Sequence, residues 1–139
     1  MTTASGSSRR LPVVWGVAFG VLQAATPWLF FWLSAETVYA FGLTLIAAVY
    51  VGFAVADGRR HVIAAETIVA TVFVVIAALA VPASGWLLVA GLAGHGLKDL
   101  WQHRTRFVAN TRWWPPFCAT VDFVAAALIA ALLAAGSSL

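Results

Sequence analysis

Apolar residues run in long blocks along this chain, separated by short polar stretches. The first block covers residues 11–33, the second 35–56 and the third 62–81. A fourth begins at Trp86 and stays apolar to about Ala93. It then carries His95, Lys98 and Asp99 on a helical course to about His103. A fifth opens at Pro115-Pro116 and reaches Ala135. A helix needs roughly 20 mainly apolar residues to cross a bilayer. The pattern therefore predicts an all-α, polytopic transmembrane bundle of five helices. Residues 1–10 read as a disordered basic N-terminal tail, and residues 11–139 as one helical domain. A four-span arrangement, with the His95 segment re-entrant or interfacial, is the competing reading.

Local signals support these boundaries. Pro27 falls inside the first block, where a missing N–H and a ring clash kink or shorten a helix. Ser34 is placed to cap the second helix, with Glu36 in its first turn favourable to the helix dipole. Gly58, in the run Asp57-Gly58-Arg59-Arg60-His61, suits a helix terminus. Pro82-Ala83-Ser84-Gly85 reads as a turn, and Pro115-Pro116 suits a first helical turn. Arg9-Arg10 before an apolar block also fits a cleavable export signal. The cleavage pattern is poor and further apolar blocks follow, so a retained first helix is expected.

Composition agrees with a bilayer setting. The 139 residues are 63% hydrophobic and 9% charged, and the mean hydropathy is +0.95. A soluble domain is about a quarter charged. The 8 basic residues exceed the 5 acidic ones, for a net charge of +3. They sit in short runs between apolar blocks, and no nucleic-acid-binding motif accompanies them, so no nucleic-acid partner is expected. Cytoplasmic loops are rich in Lys and Arg. An N-terminus inside and a C-terminus outside puts Arg9, Arg10, Arg59, Arg60, Arg104, Arg106 and Arg112 on the cytoplasmic side, with Lys98 near it. The expected location is thus the inner (plasma) membrane, with lipid as the surrounding partner. Gly16-x-x-x-Gly20 allows close helix contact, either inside the bundle or across a homodimer. The single cysteine, Cys118, excludes an intramolecular disulfide.

Ionisable side chains inside a bilayer are costly, roughly 2.5–3.5 kcal/mol each on insertion scales, and mark function by default. In the five-helix layout Glu66, His95, Asp99 and Asp122 come from three helices at one depth, near the inner leaflet. His95 and Asp99 are four apart and share a helix face, which His103 extends. Cys118 and Asp122 repeat that spacing. On the second helix Glu36, Tyr39, Tyr50 and Asp57 fall within about 60° of one another. His95, Asp99, His103, Glu66 and Asp122 are candidate ligands for zinc, iron or manganese, which imidazole and carboxylate suit. The same His95, Asp99, Glu66 and Asp122 are candidate acid–base groups for a lipid-like or small substrate. Cys118 could be a nucleophile in the first turn of the last helix, or simply a small buried apolar residue. Two readings compete with these. Glu66 and Asp122 could couple protons or ions in a small transporter subunit. Alternatively, Lys98 could neutralise Glu66 or Asp122, and Arg104 could reach Asp99, in an ion-pair network of an assembly partner. Gln23 and Thr26 are expected to form an interhelical hydrogen bond.

The segments His95-Gly96-x-x-Asp99-x-x-x-His103, Trp113-Trp114-Pro115-Pro116-Phe117-Cys118-x-x-x-Asp122 and Tyr50-x-Gly52-Phe53-Ala54-x-Ala56-Asp57-Gly58-Arg59 together resemble a pattern in small, uncharacterised bacterial integral membrane proteins. The resemblance spans residues 50–122. It implies a polytopic membrane fold and no particular activity.

Overall fold

The computed structural model describes the backbone over residues 5–136 and the side chains over residues 10–136. The described residues form five α-helices and no strand: α1 Ser5–Ala25, α2 Ala35–Asp57, α3 Arg60–Ala83, α4 Gly85–Thr105 and α5 Trp114–Ala134. The helix therefore already runs from Ser5 through the segment expected as a tail. Residues 1–4 of that segment lie outside the described residues.

Pro27 has the effect its chemistry requires. The first apolar block splits, with α1 ending at Ala25 and Thr26–Trp28 forming a single 3₁₀ turn. Thr26 Oγ1 donates to the Gln23 carbonyl at 2.6 Å. The two residues thus bond within one helix, not between helices. The Gln23 amide nitrogen is buried without a partner. Ser34 caps α2 and accepts from the Thr37 N–H at 3.2 Å. Gly58 ends α2 in the left-handed region at φ 82°, a conformation that favours glycine. The turn expected over Pro82–Gly85 contracts to Ser84. Pro82 sits in the last turn of α3, and Ser84 closes α3 while its Oγ accepts from the Trp86 N–H, starting α4.

Four helices are long and apolar enough to cross a membrane: the α1 segment with its 3₁₀ turn, α2, α3 and α5. The five expected helices are all present, and α4 is the one outside these four. Its 21 residues make it about 32 Å long, enough for a hydrocarbon core. Its inner half carries His95, Lys98, Asp99, His103 and Arg104, and loses the necessary apolarity. The His95 segment is nevertheless continuous helix, without the break that a re-entrant loop requires.

The packing explains how such a helix is accommodated. α4 lies against α5, α3 and α2, while α2 packs on α3, and α1 packs almost wholly on α5. Leu43, Leu88, Leu92 and Ile129 fill the centre among many alanines. The outer faces present Leu11, Trp15, Phe41, Leu45, Ile68, Val72 and Leu79. Buried inside are Glu66, His95, Asp99, Gln102 and Asp122. An apolar exterior around a polar interior suits hydrocarbon as the surrounding medium, not water.

Gly16 and Gly20 are used within the chain. A Cβ on Gly16 would lie 2.6 Å from Thr120 Cβ and 2.8 Å from the Phe117 carbonyl oxygen. On Gly20 it would lie 2.7 Å from Val124 Cβ. The motif seats α1 directly on α5, the packing role of small residues in apolar helices.

Candidate metal centre

Residues four apart on a helix project from one face. α4 contributes His95 and Asp99 in this way, and α5 contributes Cys118 and Asp122. The two helices pack with these faces together. One ligand atom from each of the four residues can be chosen so that all lie within 4.8 Å of one another. All four side chains are buried.

The internal geometry is asymmetric. His95 Nδ1 is 2.8 Å from Asp122 Oδ2 and 3.5 Å from Asp99 Oδ2. With the proton on Nδ1, the imidazole donates to Asp122. Both Asp99 oxygens and Asp122 Oδ1 are buried without a hydrogen-bond partner. Unpartnered buried polar atoms are costly and rare in folded chains. Here three of them belong to the two carboxylates of this cluster. If both carboxylates are ionised, a single imidazolium cannot neutralise them. In that state the cluster has both surplus lone pairs and a capacity for positive charge.

The walls around it are aromatic. Phe73 from α3 presents its edge to the imidazole, with ring centroids 4.9 Å apart. Tyr50 from α2 lies 5.9 Å away and is fully buried. Lys98 Nζ sits 3.2 Å above the Tyr50 ring and donates to Glu66 Oε2 at 2.6 Å. Tyr50 thus touches both the imidazole and the Lys98–Glu66 pair.

The structure sorts the sequence candidates. His95, Asp99 and Asp122 meet as expected, and Cys118 joins them as a fourth donor. Glu66 is not among the four donors, and its carboxylate pairs with Lys98 instead. His103, one turn beyond Asp99, is exposed and also lies outside the donor set. Arg104 makes no ion pair to Asp99 among the described residues. Asp57 belongs to a different device. Its carboxylate binds the Arg59 guanidinium and accepts from the Ala109 N–H at 2.8 Å, while Arg59 Nη2 donates to the Phe107 carbonyl at 2.7 Å. This ties the α2–α3 turn to the segment after α4, and the Asp57 bond holds the Arg59 guanidinium above its usual pKa. Cys118 is the donor that the sequence does not single out as a ligand, only as a nucleophile or a small buried apolar residue. The signal was present, since Cys118-x-x-x-Asp122 repeats the spacing of His95-x-x-x-Asp99 on the next helix.

One nitrogen, one sulfur and carboxylate oxygens make up a donor set that zinc accepts. Tetrahedral zinc bonds of about 2.0–2.3 Å place ligand atoms roughly 3.3–3.8 Å apart. The His95–Asp99 separation of 3.5 Å already meets this. The His95–Asp122 hydrogen bond at 2.8 Å would open as the Nδ1 proton leaves. The chain matches no protein-family model, no curated protein and no solved structure.

Proposed function

We propose that this chain is a small inner-membrane protein that holds a transition-metal dication, zinc above all, between α4 and α5. The observation that carries this reading is the convergence of four buried donors within 4.8 Å, three of whose oxygens have no other partner. Four protein ligands close a tetrahedral shell, whereas hydrolytic zinc sites keep one position open. Burial of every donor supports retention of the ion over turnover of a substrate. Iron or manganese would draw on the same imidazole and carboxylates, but the thiolate favours zinc.

The arginine distribution supports an orientation. Arg59, Arg60, Arg104, Arg106 and Arg112 lie at or next to the α2–α3 and α4–α5 connections. Successive helices alternate in direction, so both connections share one end of the bundle with the start of α1. The positive-inside rule assigns that end to the cytoplasm. The metal centre then lies in the cytoplasmic half, with lipid around the apolar exterior. Association into a homodimer would have to use a face other than Gly16-x-x-x-Gly20, which α5 covers.

A second reading rests on the hydrogen bonds themselves. His95–Asp122 at 2.8 Å and Lys98–Glu66 at 2.6 Å could be a metal-free network that sets helix register or relays protons. Metal content of the detergent-purified protein separates the two. Wild type, His95→Gln and Asp99→Asn are compared after growth with added zinc, iron and manganese. The metal reading expects one ion per wild-type chain and loss of it in both variants while helicity is retained. Metal-free wild type would overturn it in favour of the network.

A further inference from the structure

The connection between α4 and α5, residues 106–113, roofs a second feature that the metal centre does not use. It is a cleft of about 540 Å³ with mostly polar walls, lined by Gln102, His103, Arg106, Thr111, Arg112 and Pro115. It lies about one helical turn beyond the metal centre, since Gln102 is three residues after Asp99 and Pro115 three before Cys118. Three observations describe its chemistry. Arg106, Arg112 and His103 line it, and among the described residues none of them has a carboxylate within 4.0 Å. Gln102 is fully buried, yet neither its amide nitrogen nor its oxygen has a hydrogen-bond partner. Both arginines hold left-handed backbone, φ 50° at Arg106 and φ 38° at Arg112, a conformation uncommon for residues with a Cβ.

Two guanidinium groups without carboxylate partners, lining one polar cleft with His103, call for a ligand with several acceptor oxygens and negative charge. Guanidinium forks match phosphate oxygens in pairs. The cleft is also larger than a phosphate ion needs, leaving room for an ester substituent. We propose that this cleft binds a phosphate-bearing group, independently of the metal reading. Such a group comes either from an anionic phospholipid headgroup or from a soluble phosphate. Arg112 is followed by Trp113 and Trp114, whose rings line an apolar groove against Leu11, Trp15 and Phe19, a surface suited to an acyl chain.

The test uses the full chain, purified and delipidated in a maltoside detergent. Inorganic phosphate is titrated at constant ionic strength and its effect on the apparent Tm is followed. In a parallel arm, native mass spectrometry counts bound phosphatidylglycerol against a phosphate-free glycosyl diacylglycerol. The variants are Arg106→Asn and Arg112→Asn, because asparagine tolerates positive φ. Arg60→Gln is the control, a cation on the same end but outside the cleft. Loss of one charged hydrogen bond weakens binding about tenfold or more. The expected result is saturable binding of at least one probe, weakened to that extent by both asparagine variants and not by Arg60→Gln. Binding of phosphatidylglycerol alone identifies a headgroup as the source, and binding of inorganic phosphate a soluble ligand. Binding of neither, or equal weakening by Arg60→Gln, overturns the proposal.

Discussion

Replacing Lys98 by methionine tests how charge is partitioned inside the bundle. Lys98 and Glu66 are 12% and 3% exposed, and their charged atoms are 2.6 Å apart. Methionine keeps much of the stem's volume but leaves the Glu66 carboxylate buried without its cation. Breaking a buried pair from one side costs about 3–5 kcal/mol. Loss of the contact over the Tyr50 ring acts in the same direction. For a chain of this length each kcal/mol shifts Tm by about 3–4 °C, so Lys98→Met should lower the apparent Tm by roughly 10–20 °C. The double variant Lys98→Met/Glu66→Leu removes both charges. Replacing a buried pair by apolar residues is often neutral or stabilising by about 1–4 kcal/mol, so this variant should recover most of the loss. The assay is thermal unfolding in detergent followed by circular dichroism, with metal content measured on the same samples. Because Glu66 lies outside the donor set, the double variant should hold as much metal as wild type. An unchanged Tm in Lys98→Met would refute the pairing argument. Metal loss in the double variant would return Glu66 to the ligand shell and refute the partition.

Three further outcomes follow from the same geometry. Cys118→Ser and Asp122→Asn should each lower zinc occupancy while the helices persist, and cobalt-loaded wild type should show a thiolate charge-transfer band that Cys118→Ser lacks; retention of that band would exclude Cys118 as a ligand. Gly16→Leu should destabilise the bundle by about 1–3 kcal/mol through overpacking against Phe117 and Thr120, read as a lower Tm with an unchanged elution volume, whereas a change in oligomeric size would show that the glycines serve an intermolecular face. Metal retention should fall as pH falls, because protons compete for His95, Cys118 and both carboxylates; equilibrium dialysis across a pH series checks the sign, and tighter retention at low pH would rule out this ligand set.

Much of this protein is decided locally, and the sequence alone determines those parts. Helix ends follow from neighbouring residues: Ser34 caps α2, Gly58 supplies the left-handed residue that ends it, Pro27 cuts the first apolar block, and Pro115-Pro116 opens α5. The pairing of His95 with Asp99 and of Cys118 with Asp122 follows from the helical period. Which pair meets which partner is not local. Apart from the inner half of α4, these helices are apolar nearly all round, so the amphipathic stripe that would show which side turns inward is weak. Rotation about each helix axis is set instead by shape: Gly16 and Gly20 admit α5, and Gly96 lies close against Phe123. Those contacts turn Cys118 toward His95 and place Lys98 between Glu66 and Tyr50. They also leave His103 outside, where with Arg106 and Arg112 it lines the polar cleft. The donors were legible one helix at a time, and only the packing of α4 on α5 made them a single cluster.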